Sequence, residues 1–580
     1  MNKTLITVFC FLFIQVLPAQ ENLKTVFELS DGKQTATYKQ TIRYYRNLEV
    51  ASSKIKVVAY DATDSGEPLH LVMLDWSETF DLKKSRESGK THVLINNGIH
   101  PGEPDGIEAS KMLLRDLLAN AEYHNMLEDI IIAVIPVYNI GGALNRNEYS
   151  RANQNGPEAY GFRGNARNYD LNRDFIKADT RNTRSFYKIF HDINPDIFID
   201  THVSNGADYQ YTITHLATQH NKLGKDFGVY LEEEFTPALE IKMKEKGSEI
   251  IPYVNVFNRT PDAEGYSQFM DRPRYSTGYT TLFHTLGFMI ETHMLKPFDV
   301  RVQSTYNFLM TMIELAEKEG HKIQTLRKER ESFFIAGNVH PIAWQLNRDE
   351  KKALNFKGYE GKMVPSKITG QERLQYDRSE PFTKSITYYN VFQPDKEIEI
   401  PTAYIVPQGW HEVIERLTLN GADFERFEQD TTLSVEAYHI ASYNTSREAY
   451  EGHYPHRDTK VDKDKRLVDF REGDYVFHVD QFAGRYLVET MEPEAPDSFF
   501  NWNFFDTILQ QKEHFSPYVF EDVAWELLDE DSELKEAFER RKDEDKGFAN
   551  NWYAQLDFIY RNSKYYEKAH LQYPVYRLVD

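Results

Sequence analysis

Short apolar runs on either side of a helical pattern set the strongest limit on the fold of this chain. Val93-Leu94-Ile95 and residues 130–137 form such runs, and Asn, Gly or Pro bound them, which is typical of short buried strands. Between them, apolar residues at positions 107, 113, 114, 117 and 118 give one apolar face of an amphipathic helix. Strand, helix and strand of these lengths predict an α/β layer with a largely buried sheet.

The same layer is expected to continue along the chain. Residues 196–200 and 287–290 have the pattern of further buried strands, and a helical pattern over 300–319 closes this part of the sequence. We therefore predict an α/β domain over residues 22–330. The full length of 580 residues leaves room for more than this one domain, since a domain has roughly 150 residues.

The pattern changes after residue 335. Residues 398–405, 434–440 and 475–479 alternate apolar and polar positions with a period of two, and turn signals lie between them. This alternation predicts a smaller β-rich module of the sandwich type over residues 335–495. The remaining residues, 496–580, have a helical and acidic pattern that is typical of solvated helix faces.

The N-terminus has the three parts of a secretory signal peptide. Lys3 supplies a positive charge, residues 5–17 are apolar, and Pro18-Ala19 forms a small-residue boundary. The apolar stretch is too short for a stable membrane span, so we predict a cleaved signal peptide over residues 1–19. The protein is then exported, either to a periplasm or out of the cell. An uncleaved N-terminal anchor is the alternative.

Cysteine usage and charge exclude several classes of function. Cys10, the only cysteine, lies inside the apolar stretch of the signal, so the mature chain would have no thiol catalysis, disulfide bonds or cysteine-ligated metals. The sequence has 68 Lys and Arg against 90 Asp and Glu, a net charge of −22. Nucleic acid and anionic membranes attract clustered basic residues. Neither is therefore expected as a partner, and no membrane span is expected after signal cleavage.

A histidine and a glutamate lie three residues apart where the first predicted strand ends. In Asn96-Asn-Gly-Ile-His100-Pro-Gly-Glu103 the strand runs into a Gly-containing turn, and a helix begins beyond Glu103. Because α/β sheets bind ligands at the carboxyl ends of their strands, His100 and Glu103 could converge on one ion. Alone, this spacing equally fits a surface histidine near a helix-capping glutamate, so the metal interpretation requires a third ligand.

His202 offers that ligand. It follows the apolar strand 196–200 and is expected to emerge at the same sheet edge as His100. An isolated histidine there would more often be a core residue. Two histidines and one glutamate, however, form a ligand set of catalytic zinc that leaves a fourth position for water. Zinc lowers the pKa of such a water, but hydrolysis also requires a base that is not a ligand.

Glu291 is the candidate for this base. It ends the apolar strand 287–290, where burial would raise the pKa of its carboxyl group towards the range of a general base. The alternative is a glutamate in solvent at the edge of the sheet.

The segment Asp170-Leu-Asn172-Arg173 lies between Glu103 and His202 in the sequence. An asparagine beside an arginine on a loop suits the binding of a planar carboxylate, through a bidentate fork and an amide donor. Asp170 could orient a metal-bound imidazole from behind. Read alone, the segment is also consistent with a polar turn that contains internal ion pairs.

Together these residues resemble the zinc carboxypeptidases of the M14 type. The order of HxxE, a D-x-N-R segment, a lone histidine at a strand end and a glutamate at a strand end is present in full, within residues 40–325. The resemblance implies an α/β/α fold with a mixed eight-stranded sheet. It also implies that His100, Glu103 and His202 bind one zinc ion, that Glu291 is the general base, and that Asn172 and Arg173 hold the C-terminal carboxylate of a substrate.

Two further positions of the family pattern are assigned less directly. For the arginine that stabilises the oxyanion we choose Arg151, with Arg163 and Arg167 as alternatives. For the tyrosine that covers the substrate, both Tyr275 and Tyr279 qualify, and we choose Tyr279. The chain also has Gly102 where the digestive branch of the family has an arginine, which argues against pancreatic-type specificity.

The resemblance therefore predicts an exported zinc metallocarboxypeptidase that hydrolyses the C-terminal amide bond of peptides. The first alternative is a zinc-dependent deacylase or amidase on the same scaffold, acting on N-acyl amino acids or cell-wall peptides. The second is a zinc-dependent binding protein without catalysis. In each enzymatic case the substrate has a free C-terminal carboxylate.

Overall fold

A computed structural model describes residues 23–579, so the predicted signal peptide lies outside the described residues. The chain forms two compact units. Unit 1 contains residues 23–399, 416–422 and 480–486, and unit 2 contains residues 400–415, 423–479 and 487–579. Across this described range, no helix has both the length and the apolar character needed to cross a bilayer.

Unit 1 is built on a mixed seven-stranded sheet with the order β1-β2-β4-β3-β5-β8-β6. Its strands are β1 (Ile55–Ala62), β2 (Pro68–Asp75), β3 (Thr91–Asn96), β4 (Ile130–Ile135), β5 (Ile197–Ser204), β6 (Ile213–Ala217) and β8 (Leu286–His293). The central strands β4, β3, β5 and β8 run parallel, and the outer strands are antiparallel to their neighbours. The carboxyl ends of β3, β5 and β8 therefore lie side by side at one edge of the sheet.

The predicted α/β fold is confirmed, but the sheet has seven strands where eight were expected. The short strand β7 (Tyr266–Ser267) lies between β6 and β8 in the sequence, yet it pairs in parallel with β11 (Glu372–Tyr389). Strand β11 belongs to a different sheet, so β7 does not extend the main sheet beyond β6.

Helices cover the central strands, which explains their continuous apolar sequences. Every residue of β3, β4, β5 and β8 is buried, as is usual for strands that are covered on both faces. The helices of unit 1 are α1 (Val26–Leu29), α2 (Tyr38–Ala51), α3 (Leu82–Glu87), α4 (Asp105–Ala119), α5 (Ile140–Leu144), α6 (Arg181–Ile193), α7 (Lys225–Tyr230), α8 (Thr236–Glu245), α9 (Pro261–Glu264), α10 (Ser276–Thr281) and α11 (Phe298–Glu331).

The helices agree with the apolar periodicity of the sequence. The predicted apolar face at positions 107, 113, 114, 117 and 118 is buried in α4. The helical pattern over 300–319 is part of α11, a helix of 34 residues. Both helices contribute to the main hydrophobic core of unit 1, together with the buried faces of the central strands.

Unit 1 also contains two antiparallel strand pairs that follow α11. The strands β9 (Val339–Leu346) and β12 (Phe392–Glu399) pair with each other, and β10 (Lys352–Pro365) pairs with β11 in a long antiparallel hairpin. The predicted start of a separate β-rich module at residue 335 stays a prediction. In the structure these four strands belong to the same compact unit as the main sheet.

Unit 2 contains a six-stranded antiparallel sheet. Its strands are β13 (Ala403–Val406), β14 (Glu425–Arg426), β15 (Thr431–Thr445), β16 (His456–Phe470), β17 (Tyr475–His478) and β18 (Tyr576–Leu578). The described part of unit 2 contains this one sheet, whereas the predicted sandwich has two. Alternation with a period of two reports one buried face for each strand and does not fix the number of sheets.

The helical character expected after residue 496 is also present. Helices α14 (Pro517–Glu530), α15 (Ser532–Glu544), α16 (Lys546–Ala549) and α17 (Trp552–Arg561) share a small apolar core. Two other helices, α12 (His411–Leu419) and α13 (Gly484–Met491), are divided between the two units.

Candidate metal and active site

Three side chains from separate parts of unit 1 converge at the carboxyl edge of the main sheet. His100 lies in the turn after β3, Glu103 lies just before α4, and His202 lies in β5. His100 Nδ1 is 3.3 Å from His202 Nδ1, and Glu103 Oε2 is 3.3 Å from the first nitrogen and 3.2 Å from the second. All three side chains are buried. This is the group that the sequence predicted as metal ligands.

The spacing of these donor atoms fits a zinc ion. Zinc binds histidine nitrogen and carboxylate oxygen at about 2.0–2.1 Å in a tetrahedral arrangement, in which two ligand atoms lie about 3.3 Å apart. The three measured separations have this length. Two imidazole nitrogens and a carboxylate oxygen that face each other at this distance are stabilised by a shared cation, since their lone pairs otherwise repel. Among residues 23–579, no other cluster of three such side chains has this geometry.

A carboxylate lies behind each histidine. His100 Nε2 donates to Asp170 Oδ1 and His202 Nε2 donates to Asp200 Oδ2, both at 2.9 Å. Each bond fixes the proton on Nε2 and leaves Nδ1 as the ligand atom. Burial lowers the pKa of His202, but the Asp200 charge outweighs it, and the pKa is well above its usual value.

Asp170 was predicted to orient an imidazole, whereas Asp200 was not assigned a role. The signal for Asp200 is its position two residues before His202 in one strand, because side chains at i and i+2 point to the same face of a sheet. In the structure both residues lie in β5 and are buried.

Glu103 is held in its charged form. Arg151 Nη1 donates to Glu103 Oε1 at 2.6 Å, and the backbone N–H of Val203 donates to Glu103 Oε2 at 3.0 Å. Burial alone would raise the pKa of Glu103, but the charge of Arg151 and the neighbouring imidazoles hold it well below its usual range. A metal ligand needs this ionised state.

Glu291 lies beside the three candidate ligands without belonging to their cluster. It is in β8, directly across from His202 of β5 in the strand register. Its side chain lines the same cavity and is 9% exposed. Burial raises the pKa of Glu291 to about 8. A carboxylate with a raised pKa next to a metal site has the properties of a general base.

Asn172 and Arg173 also line this cavity. They form the single 3₁₀ turn Leu171–Arg173, which Asp170 caps by accepting a hydrogen bond from the Asn172 backbone N–H at 2.9 Å. Asn172 Oδ1 accepts from the backbone N–H of Ser276 at 3.0 Å. This bond fixes the amide so that Nδ2 remains as a donor. The Arg173 guanidinium lies 4.6 Å from the ring centre of Tyr275.

The three candidate oxyanion arginines have different surroundings. Arg151 and Arg163 both line the cavity. Arg163 is bound to Asp170, with its Nη2 at 2.9 Å from Asp170 Oδ2. Arg167 donates to the carbonyl of Asp179 at 2.9 Å and does not line the cavity.

The prediction that Tyr279 covers the substrate is wrong. Tyr279 is fully buried in α10, where it stacks on Tyr187 with ring centres 5.1 Å apart and donates to Asn420 Oδ1 at 2.6 Å. Tyr275 precedes α10 as its N-cap residue and lines the cavity. The sequence offered two tyrosines one helical turn apart, and the start of α10 determines which of them faces the cavity.

The rest of the cavity wall comes from residues that the sequence motifs did not identify. The cavity has a volume of about 390 Å³. Its additional lining residues include Ser204, Asn205, Leu216, Tyr253, Asn255, Phe269 and Met289. Most of them lie in the stretch from 205 to 285, which carries no motif. Ser204 and Met289 had a local signal, since Ser204 lies two residues after His202 in β5 and Met289 lies two residues before Glu291 in β8.

The chain is similar to known carboxypeptidases. Residues 41–218 match the family described as zinc carboxypeptidase. Carboxypeptidase 2 of Trichophyton tonsurans is 22% identical over 489 residues, covering 81% of this chain and 84% of the relative. Carboxypeptidase 2 of Trichophyton rubrum is 21% identical over 428 residues, covering 71% of this chain and 73% of the relative.

Two solved structures are also similar. A metallo-carboxypeptidase from Pseudomonas aeruginosa has a TM-score of 0.37 and 14% identity, and the match covers 49% of this chain and 70% of that one. Carboxypeptidase A from Helicoverpa armigera has a TM-score of 0.36 and 12% identity, with 49% of this chain and 74% of that one covered.

The sheet and its cluster of candidate metal ligands are those expected of a metallopeptidase of the carboxypeptidase class. Over residues 41–218 this chain matches the zinc carboxypeptidases of the M14 type, as the sequence motifs predicted. It is therefore a hydrolase of the peptidase class.

Proposed function

We propose that this protein is a zinc-dependent carboxypeptidase that removes the C-terminal residue of peptides. One observation carries the proposal. A cavity of about 390 Å³ is lined by three candidate metal ligands, by the buried carboxylate of Glu291, and by the pair Asn172 and Arg173. Hydrolysis of the last peptide bond of a substrate requires these three components: a metal site, a base and a carboxylate-binding group.

His100, Glu103 and His202 would hold one zinc ion, consistent with their spacing and with the carboxylates behind both histidines. When bound, zinc acts as a Lewis acid that polarises the substrate carbonyl and lowers the pKa of water. Glu291 takes a proton from the attacking water and delivers it to the leaving amine. Its buried position beside His202 supports this role, because burial favours the protonated form that must act as the acid.

Arg173 and Asn172 bind the terminal carboxylate of the substrate. The guanidinium of Arg173 offers a planar fork, and the Nδ2 group of Asn172 adds a donor whose direction is fixed by the bond from Ser276. Holding the carboxylate positions the last amide over the metal site. Arg151 is the candidate for stabilising the developing oxyanion, since its guanidinium lies beside Glu103 in the cavity.

The wall of the cavity favours an apolar residue at the C-terminus of the substrate. Leu216 and Met289 are paired across β6 and β8, two residues before Glu291 in the register. Phe269 adds an aromatic face to the same cavity. Apart from Glu103 and Glu291, the described lining contains no acidic side chain that would pair with a basic substrate residue.

We further propose that the protein is exported, because residues 1–19 have the charge, apolar stretch and small-residue boundary of a signal peptide. Its substrates are then peptides outside the cytoplasm. N-acyl amino acids, which also have a free carboxylate next to an amide, are the second group of substrates to test.

The test is a comparison of purified full-length protein with its Glu291→Gln variant. Glu291→Gln is expected to retain one zinc per chain and to lose about 10²–10⁴-fold in kcat. Glu233→Gln, an exposed position in the same unit, is the matched control. Substrates are peptides with free C-termini, the same peptides with C-terminal amides, and N-acyl amino acids, each assayed with and without chelator. Near-normal turnover of Glu291→Gln, or full activity after removal of zinc, contradicts the proposal.

A further inference from the structure

A second groove lies next to the active-site cavity in unit 1. Two chain segments pass from the wall of the cavity to the wall of the groove. Ser204 and Asn205 line the cavity, and the next two residues, Gly206 and Ala207, line the groove. In the same way Asn255 lines the cavity, while Phe257 and Asn258 line the groove. The groove therefore begins where the active-site cavity ends.

The β10–β11 hairpin forms the outer wall of this groove. Its residues Met363, Glu372, Arg373, Leu374 and Tyr376 line the groove opposite the two segments. The groove has a volume of about 510 Å³. Two apolar side chains in it are exposed, Phe257 at 48% and Met363 at 53%. Exposed large apolar side chains that share one concave surface are typical of binding sites.

The hairpin is firmly attached to the segment that follows His202. Gln210 donates from its backbone N–H to the carbonyl of Lys357 at 3.0 Å, and from its side chain to the carbonyls of Gly358 and Phe382 at 2.8 and 2.9 Å. Arg378, which lies in a bulge of β11, pairs with the buried Asp208 at 2.6 Å.

These contacts fix the hairpin relative to the metal-ligand strand. Tyr209 and Phe356 also share a small apolar cluster, which joins the base of the hairpin to the segment after β5. The groove is therefore a preformed surface, and a ligand does not need to order it on binding.

We propose that this groove binds the residues of a peptide substrate that precede the cleaved amide. The inference rests on the proposed function. Asn172 and Arg173 lie next to Asp170, which contacts His100, and they take the C-terminal carboxylate. The residues before the cleaved amide leave the metal site on the side of His202, where the chain continues through Ser204 into the groove.

The chemistry of the groove favours apolar upstream residues. Phe257, Met363 and Leu374 supply apolar surface, whereas Glu372 and Arg373 contribute one charge of each sign and give no net preference for a charged peptide. The enzyme is therefore expected to prefer oligopeptides with apolar residues upstream of the cleaved bond over dipeptides and N-acyl amino acids. Burial of one or two apolar side chains in the groove would raise kcat/KM about tenfold or more.

The experiment measures kcat/KM for a series of two to six residues that shares one C-terminal residue and has apolar upstream residues. For the wild type, the ratio of kcat/KM for the hexapeptide to that for the dipeptide is expected to be about ten or more. Met363→Ala is expected to lower this ratio about fivefold, because it removes apolar contact from the groove. Ile368→Ala is the matched control, since Ile368 lies in the turn of the same hairpin, is 96% exposed and is not a lining residue.

A binding measurement separates this inference from the proposed function. Calorimetry on zinc-loaded Glu291→Gln is expected to give tighter binding for the hexapeptide than for the dipeptide, and the difference is expected to shrink when Met363→Ala is added. A wild-type ratio of hexapeptide to dipeptide kcat/KM near one overturns the groove assignment. It is also overturned if Met363→Ala leaves both this ratio and the difference in affinity between the two peptides unchanged. Absence of hydrolysis for every peptide, with the binding difference intact, overturns the proposed reaction and supports the groove.

Discussion

Asp200 is predicted to control the affinity of the site for zinc through His202. Its Oδ2 accepts from His202 Nε2 at 2.9 Å and from Ser276 Oγ at 2.5 Å, and its Oδ1 lies 3.4 Å from Asn96 Nδ2. Asp200→Asn keeps the shape of the side chain and removes its charge. The oxygen of the new amide can still accept from His202. Asn96 Oδ1 is a buried atom without a hydrogen-bond partner in the described structure. If the side-chain amide of Asn96 rotates, this oxygen can accept from Nδ2 of the new asparagine. The variant is therefore expected to fold.

The magnitude follows from the role of the carboxylate. Asp200 strengthens His202 as a ligand by stabilising the positive charge that the imidazole acquires when it coordinates a metal. Loss of a partner of this kind typically lowers metal affinity by about 10–100-fold, which corresponds to about 1.4–2.7 kcal/mol. Asp170→Asn is expected to weaken zinc binding to a similar extent, because Asp170 contacts His100 at the same distance of 2.9 Å.

The assay is a competition between the protein and a chelator of known affinity, at a pH where both are stable, with circular dichroism as the check on folding. Asp192→Asn is the control, since Asp192 is an exposed residue of α6 that accepts from Tyr60. A zinc dissociation constant for folded Asp200→Asn that equals that of the wild type would refute the argument. It would show that the carboxylate positions β5 and Ser276 without acting on the metal site.

Two other predictions concern the cavity and the core of unit 1. Tyr279→Phe is expected to destabilise the protein by about 1–3 kcal/mol, because it leaves the buried Asn420 Oδ1 without its donor, while kcat/KM is retained. Tyr275→Phe, at the tyrosine that lines the cavity, is expected to lower kcat/KM about tenfold. Equal effects of both changes on kcat/KM contradict the reassignment from Tyr279 to Tyr275. Burial lowers the pKa of His92 to about 4, so below pH 6.5 the unfolded chain binds a proton that the folded chain does not. The free energy of unfolding should therefore fall between pH 6.5 and 4 by about 3 kcal/mol through this group; a urea-midpoint profile in which His92→Asn matches the wild type would contradict it.

The predicted metal ligands were accessible from the sequence because their positions follow from local rules. His100 and Glu103 are separated by one turn, and His202 and Glu291 lie at or near the ends of apolar strands. Parallel neighbouring strands bring such ends together at one edge of the sheet. The α/β pattern therefore fixed the approximate neighbourhood of all four residues before any contact was known.

The missed residues depend on contacts that no local pattern encodes. Tyr253 and Phe269 reach the cavity from irregular segments whose path is determined by packing against the β10–β11 hairpin, about a hundred residues later in the chain. The assignment of Tyr279 failed for a related reason. Its burial against Tyr187 is a consequence of how α10 packs on α6, and the sequence around position 279 is equally compatible with exposure.

The sequence by itself determined the strands, the order of the candidate metal-binding and catalytic motifs, and thereby the resemblance to the M14 type, since these follow from residue type, spacing and the rule that parallel strand ends share an edge. Only the tertiary structure decided which residues complete the cavity and that β7 pairs outside the main sheet. It also decided that the hairpin after residue 350 lines a groove beside the cavity. The physical reason is distance along the chain: packing between remote segments depends on the whole set of side chains that meet, which no short stretch of sequence contains.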